Sequence, residues 1–329
     1  MMQEAQVDAD AVRIALVDQY ALGSGMPRLT PLHVAENVTF AVTFGAELHP
    51  RAVVRVYRPG RHAPVRIHSE LAWVEALADA EVRTARPHRS HEGELTGWLD
   101  LPDGSRTPFA LMEYVRADAR EPELEVSLAA LGTAAGTLQS HARKWNAPEY
   151  FDRPTWDVES TLTDATSWGH WMSAELPSQT TDILRASRRR ILAELPPVTG
   201  ANRVLQHADL KIGNSIWSAG ELHVIDFDDS GYSWPLFDLA ASLTGLENLP
   251  ETPQLVDAWL SGYALNAVVT DDALETIPAL LMQRRLMIVG WLLAHPEGHP
   301  AINRADALAD TAEMAHRYLN DDLLARSHS

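Results

Sequence analysis

Four polar side chains crowd the run His207-Ala208-Asp209-Leu210-Lys211-Ile212-Gly213-Asn214, and two carboxylates follow in Ile225-Asp226-Phe227-Asp228. An Asp, a Lys, an Asn and a second Asp in that order suit transfer of a phosphoryl group from a nucleotide to an alcohol. Asp209 would accept the hydroxyl proton, or orient the hydroxyl, as the γ-phosphoryl group leaves ATP. Asn214 and Asp226 offer the hard oxygens that Mg²⁺ takes at about 2.1 Å. Lys211 carries a flexible ammonium two residues from Asp209, suited to charge developing on the transferring group. Lys144 is the only other lysine among 27 basic residues. The ordinary alternative is a hairpin whose Asp and Asn hydrogen-bond nearby backbone. A lone D-x-x-x-x-N would not decide between them. A preceding His, a following strand and D-F-D make the combination specific.

The neighbouring elements must position these groups. Ser215 to Trp217 reads as a strand, residues 218–220 as a turn and Leu222 to Ile225 as the return strand. That hairpin would set Asn214 opposite Asp226, at the roughly 5 Å between Cβ atoms of paired strands. Upstream, Ala52 to Tyr57 is an apolar strand, and Arg55 points to the opposite face from Val54 and Val56. There a cation could grip nucleotide phosphates, steadied by a Glu of the next helix. Glu70 is the first candidate and Glu75 the second; the alternative is an exposed Arg and a helix-surface Glu. Met112, Glu113, Tyr114 and Val115 are expected to meet the adenine edge, and residues 35–45 to form a hairpin over the phosphates.

The first third is β-rich with one helix: strands over 37–42, 52–57 and 109–115, and a helix over 66–80. Helices are expected after that, over 124–144, 161–175, 178–194, 235–246, 253–265, 272–293 and 302–324. A small β-rich N-terminal lobe (1–115), binding nucleotide, and a larger helical lobe (116–329), carrying catalysis and acceptor binding, make an α+β bilobal architecture. The cleft between such lobes is a natural ligand site.

Composition excludes several classes. There are no cysteines, so disulfides and thiolate metal sites are ruled out. The net charge of −18 and the lack of a long basic run argue against a nucleic-acid partner. The acidic start is unlike a signal peptide, and the apolar run 279–294 is interrupted by Arg284-Arg285, so no membrane partner is expected and the location is cytoplasmic by default. The acidity either serves solubility alone or favours a neutral or cationic acceptor over an anionic one. Trp156, Trp168 and Trp171 either face such a cation or pack helices together. Asp229 and the acidic residues of 247–251 either bind amines or are solvated. Oligomeric state is not legible.

With these residues in view, the chain resembles the aminoglycoside phosphotransferase family of protein-kinase-like enzymes. The likeness runs through Val204 to Asn214, Val224 to Asp229, Phe237 to Ala240 and Val53 to Arg61. It implies transfer of the γ-phosphate of ATP, with Mg²⁺, to a small-molecule hydroxyl of aminoglycoside, amino-alcohol or homoserine type. It also implies Asp209 as base, Asn214 and Asp226 as metal ligands, and Asp238 and His207 as braces of the catalytic loop. Three departures stand out: Arg55 in place of the usual Lys, Lys211 where many members have His, and Asp228 in place of the Gly of D-F-G. Only 11 residues separate Asp226 from Asp238, little room for a phosphorylatable activation loop. A protein Ser/Thr kinase similar to stress response kinase A, or a non-catalytic nucleotide-binding scaffold, are the alternatives.

Overall fold

Helix α1 (Ala9–Gln19) begins at Asp8, whose carboxylate accepts the Asp10 N–H at 2.9 Å and caps the first turn. It is seen in a computed structural model that describes residues 7–22, 25–34, 37–163, 168–169, 171–173, 176–295 and 304–325. Strands β1 (Arg28–Val34), β2 (Val38–Thr43) and β3 (Ala52–Val56), helix α2 (Pro64–Asp79), and strands β4 (Gly97–Asp100) and β5 (Arg106–Glu113) follow. Helices α3 (Leu124–Ala142), α4 (Val158–Leu162) and α5 (Ser178–Glu194) lead to strands β6 (Val204–Gln206), β7 (Ser215–Ser218), β8 (Glu221–Val224) and β9 (Gly231–Ser233). Helices α6 (Phe237–Ser242), α7 (Thr252–Tyr263), α8 (Asp271–Glu275), α9 (Ile277–Ala294) and α10 (Arg304–Leu319) complete the chain.

These elements form two compact units. The first comprises Met1–Ala119, Asn146–Arg153 and Ile216–Asp228; the second comprises Arg120–Trp145, Pro154–Ser215 and Asp229–Ser329. Where the sequence suggests one boundary after residue 115, the first unit also takes up two later segments. Asp118 explains part of this: its carboxylate accepts the Ala219 and Gly220 N–H groups, both at 2.9 Å, at the turn of the β7–β8 hairpin.

The first unit is built on an antiparallel sheet of order β1-β2-β3-β5-β4. Strand alternation sorts its side chains. Val54, Val56, Phe109 and Leu111 pack with Val12 and Leu16 of α1. Ala110 and Met112 pack with Ile67 and Leu71 of α2. Arg55, lying between Val54 and Val56, therefore shares the α2 side.

The second unit is mainly helical. Its α3 and α7 cross closely, because a Cβ on Gly132 would overlap the Trp259 carbonyl and one on Gly262 would overlap that of Ala129. Helix α9 is long and apolar enough to cross a membrane by length and composition, yet 67% of it is buried inside the protein. It is a core helix.

Several expectations are corrected. Helix α1 and strand β1 precede the first expected strand, and the hairpin expected over 35–45 runs instead from Arg28 to Thr43, as β1 paired with β2, with 35–36 outside the described residues. No helix spans 161–175. Helix α4 ends at Leu162, and Gly169 takes a left-handed φ of 88°, which no helix interior accommodates. Residues 164–167, 170 and 174–175 lie outside the described set. The helix expected over 272–293 is two, because Pro278 fits only the first turn of α9. The helix expected over 235–246 shortens to Phe237–Ser242. That expected over 302–324 is α10, and residues 296–303 lie outside the described set.

Candidate active site

In the second unit, β6 pairs with β9, Gln206 opposite Gly231, and hands the chain to the Asp209 loop. The loop turns at Ala208, which holds a left-handed φ of 66°. A non-glycine residue adopts this only under constraint. The constraint is Asp238, fully buried on α6, whose carboxylate accepts the Ala208 N–H at 2.7 Å and the His207 N–H at 3.2 Å. His207 in turn accepts the Asp209 N–H on Nδ1 at 3.3 Å. The bracing expected of Asp238 and His207 is thus present. Burial pushes the Asp238 carboxyl up to about 7, against the pull of the two N–H donors.

Asp209 itself is 8% exposed. Its Oδ2 accepts from Lys211 Nζ at 2.8 Å and from Asn214 Nδ2 at 2.7 Å. The same amide nitrogen reaches the Asp209 carbonyl at 2.9 Å, so the amide oxygen of Asn214 is the end left for a cation. Asp209 Oδ1 is taken by Arg284 of α9, a residue the motif reading passed over. Burial works against ionisation of Asp209, but Arg284 and then Lys211 outweigh it and hold the carboxyl below its usual value. The signal for Arg284 was a pair of arginines inside an apolar helix, which has to be compensated somewhere.

In the first unit, Arg55 Nη1 meets Glu70 Oε1 at 3.1 Å, and Arg55 Nη2 meets Asp226 Oδ1 at 2.9 Å. Glu70 is thus the partner, and Glu75 pairs with Arg89 instead. Burial opposes the charge on Arg55, yet Asp226 and then Glu70 keep it firmly protonated. Burial pushes Glu70 up to about 7, with Arg55 pulling the other way. The two directions agree: Arg55 answers to two carboxylates, whereas the 2%-exposed Glu70 leaves Oε2 without a hydrogen-bond partner among the described residues. Asp226 has a left-handed φ of 63°, and its side chain is 43% exposed.

Asp228 is not a passive replacement for glycine. It is 8% exposed and gathers His62 Nε2 at 3.2 Å, Asn37 Nδ2 at 3.2 Å and Arg61 Nε at 3.8 Å. Burial opposes its ionisation; His62, Arg55 and Arg61 outweigh that and hold it well below the usual carboxylate range. Arg153 donates to the Phe227 and Asp228 carbonyls, and Trp73 meets the Phe227 ring edge-on at 5.5 Å. None of Asn37, His62 or Arg153 had a motif to mark it.

Other expected residues fall differently. Hairpin β7–β8 forms with its turn at Ala219 and Gly220, between Asn214 and Asp226 in sequence. Met112 and Glu113 end β5; the Glu113 N–H donates to the Arg86 carbonyl at 2.8 Å and the Tyr114 N–H to that of Arg51 at 3.1 Å. Val115 comes next, half-buried. Trp156 and Trp171 are core residues, and Trp168 presents its ring to Arg284 at 5.1 Å. Burial accounts for Trp156 and Trp171, and an internal cation for Trp168. Glu247 is buried, 3.6 Å from Arg285.

A sequence model of the phosphotransferase enzyme family matches residues 28–279. The chain belongs to that family. An uncharacterized protein of Deinococcus radiodurans is 29% identical over 278 residues, covering 82% of this chain and 78% of the relative. The amicoumacin kinase of Bacillus subtilis is 26% identical over 243 residues, covering 68% of each. A microcompartment-associated aminopropanol kinase superposes with a TM-score of 0.82 at 24% identity, over 97% of this chain and 100% of that one. An amicoumacin kinase in complex with AMP-PNP, Ca²⁺ and Ami superposes at 0.74, with 21% identity over 95% and 94% of the two chains. The fold of this phosphotransferase is therefore the protein-kinase-like one that the motifs implied.

Proposed function

We propose that this phosphotransferase moves the γ-phosphate of ATP to a hydroxyl of a small, neutral or cationic molecule, with amino alcohols the first class to try. One observation carries the reading: Asp209, on its braced loop, holds an anionic carboxylate oxygen within hydrogen-bonding distance of both Lys211 and Asn214. Family membership supports it, an aminopropanol kinase and an amicoumacin kinase among the similar proteins favour a small-molecule acceptor, and the first of these favours an amino alcohol.

Each residue takes a role that its setting suits. Asp209 Oδ2 orients the acceptor hydroxyl and receives its proton. The hydroxyl oxygen bonds to the γ-phosphorus, the bridging P–O bond breaks, and ADP leaves with the electron pair. Lys211, 39% exposed at its side chain, turns from Asp209 to the transferring group. Arg55, its fork steadied by Glu70, grips phosphate oxygens. Val115 offers its N–H to the adenine edge, since those of Glu113 and Tyr114 are engaged within the protein.

Asn214 and Asp226 are each proposed as a Mg²⁺ ligand through oxygen. Among the described residues no cluster of three or more His, Asp or Glu could hold a metal ion. That fits Mg²⁺, which binds one or two protein oxygens and completes its shell with water and phosphate. When bound, the ion would neutralise charge on the phosphates.

The test is Mg²⁺-dependent ATP turnover against a panel of 1-aminopropan-2-ol, ethanolamine, choline, homoserine, amicoumacin and aminoglycosides. One acceptor should be phosphorylated, and Asp209→Asn should slow kcat about 10²–10⁴-fold. Nucleotide-induced stabilisation with no transfer to any acceptor, or undiminished transfer by Asp209→Asn, would overturn the reading.

A further inference from the structure

Arg284 lies 75 residues downstream of Asp209, in the middle of core helix α9, and its side chain is 0% exposed. A buried guanidinium is expensive: removing such a charge from water costs several kcal/mol, and well-packed apolar side chains of similar volume are often as stable or more so. Stability alone is a weak account of its presence. Its donors explain it better. Nη2 holds Asp209 Oδ1, Nη1 reaches the Ala208 carbonyl at 3.5 Å, and Nε reaches Thr244 Oγ1 at 3.3 Å. The Trp168 ring covers the group at 5.1 Å. Two of three contacts thus go to the left-handed Ala208 turn and the carboxylate that follows it.

The two oxygens of Asp209 are held in unlike ways. Oδ1 is bound by a cation with no exposed surface and two further anchors. Oδ2 is bound by Lys211, whose side chain is 39% exposed, and by Asn214. We propose that Arg284 is a positioning residue, which pins Asp209 through Oδ1 so that Oδ2 alone is presented to the acceptor hydroxyl. This deepens, and rests on, the phosphotransfer reading above. Lys211 and Asn214 can exchange partners during turnover; Arg284 has nowhere else to go. A carboxylate free to rotate would offer the hydroxyl a spread of angles, and misplacement by about 1 Å costs on the order of 10²-fold in rate.

Two measurements on the full-length protein test this. The first needs no activity: urea unfolding of the wild type, Arg284→Met, Asp209→Asn and the double variant. Coupling is expected, with Arg284→Met lowering the midpoint far less in the Asp209→Asn background than alone. Equal losses in both backgrounds would overturn the grip itself. The second is steady-state kinetics with Mg²⁺·ATP and the fastest acceptor of the panel. Arg284→Met should lower kcat about 10–100-fold while KM for both substrates changes less than about threefold. Arg284→Lys, which keeps a cation with fewer donors, should recover part of kcat and covers the case in which Arg284→Met does not fold. A kcat within about twofold of wild type in folded Arg284→Met, a loss confined to KM, or no recovery by Lys would overturn the positioning role. A wild type that transfers phosphate to nothing sinks the phosphotransfer reading and its catalytic corollary, while the unfolding cycle still reports on the ion pair.

Discussion

At the scale of single residues, the Asp209 loop depends on a side chain that touches no reactant. Asp238 supplies acceptors for two buried backbone N–H groups and holds Ala208 at its left-handed φ. Each buried N–H left without a partner costs about 1–3 kcal/mol. Asp238→Ala should therefore lower stability by about 2–4 kcal/mol in chemical denaturation. Asp238→Asn, which keeps one acceptor oxygen, should lose less. Equal stability of Asp238→Ala and wild type would remove Asp238 as the brace. At this scale the sequence was informative where chemistry follows local spacing. Asp209, Lys211 and Asn214 fall within six residues, and strand alternation placed Arg55 on the α2 side beside Glu70. It was silent where a partner arrives from far along the chain. Arg284 sits in an apolar run that reads as core, and His62 and Asn37 meet Asp228 across more than 150 residues.

At the scale of elements, glycine decides how closely α3 can lie on α7. Gly132 and Gly136 weaken α3 by propensity, and the sequence predicts the helix in spite of them. The structure supplies their reason: a Cβ on Gly132 would overlap the Trp259 carbonyl, and one on Gly136 would come within 2.7 Å of that of Tyr263. The contact reaches the catalytic loop, because Trp259 Nε1 donates to Ser242 Oγ at 3.0 Å and Ser242 Oγ donates to the Leu210 carbonyl at 2.7 Å. Gly→Ala in an exposed helix would gain about 0.5–1 kcal/mol. Here Gly132→Ala should instead cost about 1–3 kcal/mol or more, read as a fall in the thermal midpoint, and should slow turnover. A rise in the midpoint would show that α3 can back away from α7 freely. Elements with one strong period, such as α2, α5 and β3, were legible. Those set by tertiary contact were not: β6 and β9 have three residues each and exist because they pair. Helix α1 was hidden by an acidic, polar start, and its stability comes from Val12 and Leu16 on the sheet.

At the scale of the whole molecule, charge makes stability depend on pH in two separable ways. The chain carries −18, and self-repulsion grows as carboxylates ionise above pH 4. Surface repulsion is screened by salt, with a Debye length of about 8 Å at 0.15 M. A second contribution is buried and resists salt. Glu70, in the first unit, is pushed by burial from 4.5 to about 7. Between those values the folded protein keeps a proton that the unfolded chain has released, so stability falls as pH rises through the window and levels off above about 7. At 1.36 kcal/mol per pH unit the fall attributable to Glu70 is about 3 kcal/mol at most. Glu70→Gln keeps a hydrogen-bond acceptor for Arg55 and cannot titrate. Its urea midpoint, measured from pH 4.5 to 8 in 0.5 M NaCl, should vary less than that of the wild type, with the two curves diverging toward pH 8 in the variant's favour. Parallel curves would mean that Glu70 is ionised throughout, fully matched by Arg55, and that the remaining slope belongs to Asp238 or to the surface.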